Sequence, residues 1–336
     1  MIQNKQMSAT SNVSSNSLEP DCFFGEMVSD RFQIADKVLG NGAFGFAFLC
    51  HDLENQSNTK KAQCIAKVEM EPTVSCFYKD QTQLEHEYSI YQHLHKHPKL
   101  RKFIPNVYLF TKHKLEDDPT EYPCLILERV GIDLFSLATD QKYGYFTPQV
   151  LATLGIQVIN ALRYMHSMFI AHRDIKPQNI MLYASRNEKK IKIIDFGLSM
   201  PIPTPDKVPD SERHHFRSPA CTLAFGAWRQ HFKQVCSART DMESFLYSWL
   251  FLAGTDLPWR HASKDLKKKE LRETIGRMKY NASLPDLCAR FDELGRDSNG
   301  AKLSDFLLSF RSLRFDGIPN YKGLQHYFKF VQKISE

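Results

Sequence analysis

The sequence predicts an α+β fold of two lobes, a small β-rich lobe over about 25–130 and a larger, mainly helical lobe over about 131–336. Two spacings lead there. Short runs with every second residue apolar dominate the first part, and apolar residues three and four apart dominate the second. A crevice between two such lobes is a usual place for a small ligand.

Each element follows from its local pattern. Residues 1–24 are rich in Ser, Asn and Gln and poor in large apolar side chains. Burial cannot offset the entropy of ordering them, so a disordered tail is expected. Arg31–Leu39 sets Phe32, Ile34 and Val38 at even spacing, as in a half-buried strand. Gly45–Cys50 and Gln63–Val68 follow as strands around the polar, hairpin-like stretch Asp52–Lys61. Leu84–His95 reads as a helix and Cys124–Leu127 as a buried strand. Leu151, Leu154, Val158, Leu162 and Met165 share one stripe of a helix that begins near Pro148. Short strands at Ile180–Tyr183 and Ile191–Ile194 flank a polar loop, Ala184–Lys190. A Pro-rich irregular stretch, Pro201–Pro219, comes before helices that resume near Thr240.

Composition narrows the class. With 336 residues, 42% hydrophobic and 24% charged, the chain is neither disordered, collagenous nor membrane-dominated. A net charge of +6 is too small to force a nucleic-acid reading. The eight cysteines (22, 50, 64, 76, 124, 221, 236 and 288) form no C-x-x-C pair and read as reduced thiols. The best apolar run, Phe245 to Ala253, falls far short of the ~18–20 residues of a membrane span. No signal peptide is evident, and Ile2 excludes N-myristoylation. A soluble, cytoplasmic monomer, with access to the nucleus and no nucleic-acid or membrane partner, is the expectation.

Four motifs carry chemistry. Gly40-Asn41-Gly42-Ala43-Phe44-Gly45 is a G-x-G-x-x-G run, which by itself could be a plain tight hairpin. Strand-like runs on both sides favour a hairpin flap whose bare backbone can approach phosphates. Downstream, Lys67 stands inside an apolar strand, where an ammonium needs an anion unless it snorkels to water. Phosphate oxygens provide one partner; Glu87 is our choice for the second, with Glu85 its rival. His172-Arg173-Asp174-Ile175-Lys176-Pro177-Gln178-Asn179 is H-R-D-x-K-P-x-N, and Asp195-Phe196-Gly197 follows an apolar strand. A carboxylate at Asp174 can take a proton from a substrate hydroxyl, and Asn179 with Asp195 can hold Mg²⁺ on phosphates. Flap, strand lysine and these two motifs in order describe a phosphotransferase.

With these motifs the chain resembles a eukaryotic protein kinase over about residues 27–331, and within that superfamily the casein kinase 1 group. The group resemblance rests on Cys221-Thr222-Leu223-Ala224-Phe225-Gly226-Ala227-Trp228, on Arg239-Thr240-Asp241-Met242-Glu243-Ser244, on Leu257-Pro258-Trp259, and on Phe310–Asp316 with Pro319-Asn320-Tyr321. It implies a bilobal protein-kinase-like fold and a serine/threonine protein kinase. Its cofactors would be ATP and Mg²⁺, its partners protein substrates with Ser or Thr acceptors. ATP would lie against Leu39, Gly40, Asn41, Gly42, Ala43, Phe44, Gly45 and Ala47. Lys67 would hold its phosphates and pair with Glu87. Leu127 would guard the back of the adenine pocket, the backbone of Glu128 and Val130 would bond the adenine edge, and Gly131 would be the pivot. Asp174 would be the catalytic base, Lys176 would neutralise the transferred phosphoryl, and Thr222 would bond that pair. Asn179 and Asp195 would be the metal ligands, and Asp241 would anchor the catalytic loop. Activity without an activation-loop phosphate is the default for relatives.

Three departures stand out. Cys221 occupies a glycine position and Ala224 a basic one; Met200, after Leu198-Ser199, takes another basic place. An anion site lacking two cations implies weak preference for phosphate-primed substrates, unless Arg213, Arg217 or Lys233 substitute. Cys221 and Ala224, by misplacing the peptide-binding segment, are the ground for an alternative, a pseudokinase scaffold with negligible turnover; a small-molecule kinase is a third reading. His93, His95 and His97 read as solvated or helix-end histidines rather than a metal site. Lys264–Lys269 reads as an exposed helix face.

Overall fold

The computed structural model describes residues 19–42, 45–54, 62–70, 81–116, 118–140, 144–185, 188–203, 221–263 and 265–334. Cys76, Arg213, Arg217, Lys264, the flap tip Ala43–Phe44 and most of Asp52–Lys61 and Pro201–Pro219 lie outside them.

The first part is a six-stranded antiparallel sheet of order β1-β2-β3-β4-β6-β5. Its strands are β1 (Met27–Val28), β2 (Phe32–Asn41), β3 (Gly45–Asp52), β4 (Ala62–Glu69), β5 (Val107–His113) and β6 (Tyr122–Glu128). Strand alternation sorts their side chains to two faces. Cys64, Ala66 and Val68 of β4 join Cys124 and Ile126 of β6 in the outer core; Leu125 and Leu127 join the core on the other face. Lys67 therefore emerges on the inner face. Helix α1 (Gln83–Leu94) covers this face, its first turn closed by a capping box between Thr82 and Glu85.

Three readings need correction here. Glu19–Phe24 is placed, not disordered: Pro20–Phe23 forms a 3-10 turn, and Phe23 is buried edge-on to Tyr122. One aromatic ring outweighed the polar composition. Strand β5 went unrecognised because it is an edge strand, with Tyr108 exposed and a register shift between Val107 and Leu109 that breaks the alternation. The loop read as Ala184–Lys190 is shorter, since the strands run on to Ser185 and resume at Glu188.

The second part is mainly helical but keeps small strands. Ile132–Asp133 (β7) pairs with β9 (Ile180–Ser185), which pairs with β10 (Glu188–Ile193). A short bridge joins β8 (Ile170–Ala171) to β11 (Met200–Pro201). Its helices are α2 (Leu134–Thr139), α3 (Pro148–Ser167), α4 (Trp228–His231), α5 (Ala238–Leu252), α6 (Lys268–Asn281), α7 (Leu284–Asp292), α8 (Leu303–Ser312) and α9 (Tyr321–Lys333). Thr147 caps α3 through Val150 N–H, worth about 1 kcal/mol, and Pro148 opens its first turn. All five stripe residues of α3 are fully buried, each contributing roughly 1.5–3 kcal/mol by leaving water. Helix α5 is buried along its whole length, yet no described helix is long and apolar enough to cross a membrane.

Candidate active site

The flap is closed at its base by Gly42 N–H donating to the Gly45 carbonyl (2.9 Å). Its glycines serve different ends. A Cβ on Gly45 would stand 2.0 Å from the Val68 carbonyl oxygen, so packing alone demands glycine there. A Cβ on Gly40 would meet nothing within 4 Å. Packing does not ask for glycine at 40, whereas a phosphate approaching the backbone does.

Beneath the flap, β4, α1 and the turn after β10 bring three charges together. Lys67 Nζ donates to Glu87 Oε1 and Oε2 (2.8 and 3.0 Å) and to Asp195 Oδ1 (3.2 Å). Helix phase decides between the rival carboxylates. Glu85 turns back to the Thr82 N–H (2.8 Å) and pairs with Lys112, whereas Glu87 is buried against Lys67. Burial alone would lower the Lys67 pKa, but Asp195 and Glu87 outweigh it and hold the ammonium protonated. Lys67 in turn draws Asp195 below the ordinary carboxylate range. Burial pushes Glu87 upward despite Lys67. Two further α1 side chains grip the same turn. Gln83 Nε2 donates to the Gly197 carbonyl, and His86 Nε2 lies 2.7 Å from the Ser199 carbonyl. Phe196 is buried between Tyr91 and His172, with ring centroids 4.8 and 5.1 Å away.

The loop between β8 and β9 supplies the second cluster. Asp174 Oδ2 accepts from Lys176 Nζ (2.6 Å), and Oδ1 accepts from Thr222 Oγ1 (2.7 Å) and Thr222 N–H (3.1 Å). Lys176 Nζ also reaches Thr222 Oγ1 (3.1 Å). Asn179 Nδ2 donates to the Asp174 carbonyl (2.9 Å), leaving its carbonyl oxygen as the remaining acceptor. The Asp195 side chain is 44% exposed. One amide oxygen with one carboxylate is an all-oxygen donor set, which suits a hard cation such as Mg²⁺.

This loop is held from below. Asp241, on α5, accepts from the N–H groups of His172 (2.7 Å) and Arg173 (2.8 Å). Arg173 has φ of 71°, a conformation rare outside glycine, and Gln230 secures its carbonyl (2.8 Å). Asp241 also meets His166 Nε2 (2.9 Å), whose Nδ1 lies 2.7 Å from the Tyr321 hydroxyl on α9. Burial works against its charge, but the His166 bond first among the others keeps the Asp241 carboxyl below its ordinary value.

At the strand joining the two parts, Leu127 is buried and the Glu128 N–H donates to the Asn106 carbonyl (2.9 Å). Any nucleotide contact from Glu128 backbone therefore falls to its carbonyl. Gly131 passes so close to β9 that a Cβ would stand 1.7 Å from the Leu182 carbonyl oxygen. Leu39 is exposed, and Ala47 pairs across to Lys67. Ala43 and Phe44 are outside the described residues.

Several functional neighbours escaped sequence reasoning. Lys192, buried on β10, donates to Glu128 Oε2 (2.6 Å), which also accepts from Asn106 N–H (2.9 Å). His166 carried no local signal, whereas Tyr321 stands in the Pro319-Asn320-Tyr321 run. The T-x-x-E capping box at Thr82–Glu85 was a local signal, and it removes Glu85 from contention. His93 and His95 lie 3.2 and 3.0 Å from the carbonyls of Met168 and Pro105, and His97 packs on Tyr164. Among the described residues no three His, Cys, Asp or Glu side chains are grouped to hold a metal. Lys267–Lys269 are exposed at the start of α6.

Over 304 residues the chain is 26% identical to a probable serine/threonine-protein kinase of Dictyostelium discoideum, covering 90% of this chain and 53% of that protein. Over 314 residues it is 28% identical to casein kinase I homolog 2 of Schizosaccharomyces pombe, covering 92% of this chain and 64% of that one. The chain thus spans about half to two-thirds of the length of these relatives. Residues 34–306 match the family described as protein kinase domain. Most of the chain lies within that match, and the chain belongs to the protein kinase domain family.

Proposed function

We propose that the protein is a serine/threonine protein kinase of the casein kinase 1 kind, transferring the γ-phosphoryl group of ATP to protein hydroxyls. The observation that carries this is Lys67 bonded to both Glu87 and Asp195 while Asp174, Lys176 and Thr222 stand bonded to one another. In this reading Lys67 steadies the nucleotide phosphates, and Glu87 fixes Lys67. Asn179 and Asp195 would hold Mg²⁺, which neutralises phosphate charge when bound. Asp174 accepts the proton of the substrate hydroxyl, and Lys176 offsets negative charge on the transferred group. Thr222, bonded to both, sets their separation.

The parts before and after about residue 130 act as two lobes around the nucleotide. Lacking basic residues at 200 and 224, the protein has little preference for phosphate-primed substrates. Its setting is cytoplasmic, with protein substrates as partners. The test compares wild type with Asp174→Asn for label transfer from ATP to casein and to itself. Wild type is expected to transfer and the variant to fall to background. Equal background signals from both would overturn the proposal.

A further inference from the structure

Lys279 stands on α6, away from the cleft, and is fully buried. A buried ammonium needs compensation. Here backbone carbonyls supply it: Nζ donates to those of Leu223 (2.8 Å) and Gly226 (2.5 Å), and lies 3.1 Å from His231 Nε2. Burial first, then Lys279, push the His231 pKa down to about 2, so the ring is neutral and Nε2 can accept. The rings of Tyr247 and Trp259 lie 5.3 and 5.2 Å from the ammonium. Trp259 adds a tie of its own, its indole N–H donating to the Ala224 carbonyl (2.7 Å).

Three carbonyls of the run Leu223–Gly226 are thus held from the core side. The same run folds over Thr222, whose carbonyl accepts the N–H groups of Phe225 (3.1 Å) and Gly226 (2.8 Å). Cys221 packs against this turn; a Cβ on Gly226 would stand 2.8 Å from its Sγ. Thr222 in turn bonds Asp174. A continuous set of contacts runs from α6 to the candidate base.

We propose that Lys279 is a positioning residue for the protein substrate, holding the Leu223–Gly226 turn, and through it Thr222, in register with Asp174. This rests on the phosphotransferase reading above. Lysine suits the task because its one nitrogen reaches two carbonyls and an imidazole at once, and as a neutral amine it still donates to both carbonyls. A methionine there would fill the space and take the Nζ donor from both carbonyls. The tying groups come from α4, α6 and the turn at Trp259, so folding itself sets the turn.

The test is Lys279→Met in the full chain. The KM for casein is expected to rise at least tenfold, while the Kd of a fluorescent ATP analogue stays within twofold of wild type. Amide hydrogen exchange across Leu223–Gly226 should quicken at least tenfold. Equal losses of casein and nucleotide affinity, or an unchanged KM and exchange rate, would overturn the proposal. Should that variant fail to fold, Trp259→Phe, which frees only the Ala224 carbonyl, carries the same readouts with about a threefold rise in KM expected; no rise overturns it. A wild type without transfer would sink the phosphotransferase reading instead, and exchange in K279M would still judge the tie.

Discussion

Thr222 Oγ1 lies 2.7 Å from Asp174 Oδ1 although 48 residues separate them, and Lys176 Nζ bridges the two. The hydroxyl donates to the carboxylate and accepts from the ammonium. Thr222→Ala should lower kcat by roughly tenfold or more and cost about 1 kcal/mol of stability. Thr222→Ser keeps the hydroxyl and should stay within about threefold. Steady-state kinetics with casein decide; equal rates for the alanine and serine variants would remove Thr222 from the site.

Asp195 gives a pH signature. Its carboxyl lies below the ordinary value because of Lys67, with Lys176 adding to the effect against burial. A carboxyl lowered in the folded state stabilises the fold above the unfolded pKa, about 3.9, and that contribution is lost as pH falls through the folded value. The stability gap between wild type and Asp195→Asn should therefore narrow on acidification below about pH 4. Urea unfolding from pH 7 to 3 reads it, and a constant gap would contradict the pairing.

For Lys279 stability also rises with pH, but in a higher window and because burial disfavours the charged form. Burial, against Cys221 and Glu243, pushes its pKa down to about 7. Between there and the unfolded value of about 10.4 the folded state binds fewer protons, so stability rises with pH across that window. Neighbouring His231 is neutral, and Cys221 is pushed up to about 11 by burial, so neither titrates midway. Wild type should gain on Lys279→Met from pH 7 to pH 10 in denaturant melts. A pH-independent difference would mean the lysine is not sealed from water.

The Lys192–Glu128 pair should respond unequally to its two truncations. The Lys192 side chain is 7% exposed and that of Glu128 24%. Glu128→Gln leaves a buried ammonium short of its charge partner and should cost about 1–3 kcal/mol. Lys192→Met leaves a carboxylate that still accepts from Asn106 and touches water, and should cost under about 1 kcal/mol. Thermal or chemical melts of the two variants give the comparison; equal costs would argue against the asymmetry.

Missing cations bear on substrate choice. Each charge-assisted bond absent at Met200 and Ala224 would have contributed about 1.5–3 kcal/mol. Paired peptides with and without an upstream phosphoserine should give kcat/KM values within about threefold. A gain of a hundredfold from the phosphate would show that other cations fill the role.

What the sequence made legible was local chemistry. Gly40 to Gly45, Lys67, Asp174 to Asn179 and Asp195 stand in short motifs whose spacing follows strand and turn geometry. The α3 stripe was readable because helical period and burial coincide. Lys192 and Lys279 were not, since each is a cation whose partners lie on other elements. Strand β5 hid behind an exposed edge and a bulge. Phe23 was outvoted by its polar neighbours. In each miss, a tertiary contact overrode the local pattern.

Tyr321, on α9, reaches His166, which leans on Asp241, which fixes the loop carrying Asp174. Translation delivers these groups in the order 166, 174, 241, 321. A nascent chain on the ribosome thus exposes the loop carrying Asp174 before its support at Tyr321 is made. The loop that carries Asp174 is therefore fully braced only after Tyr321 has followed it out of the ribosome.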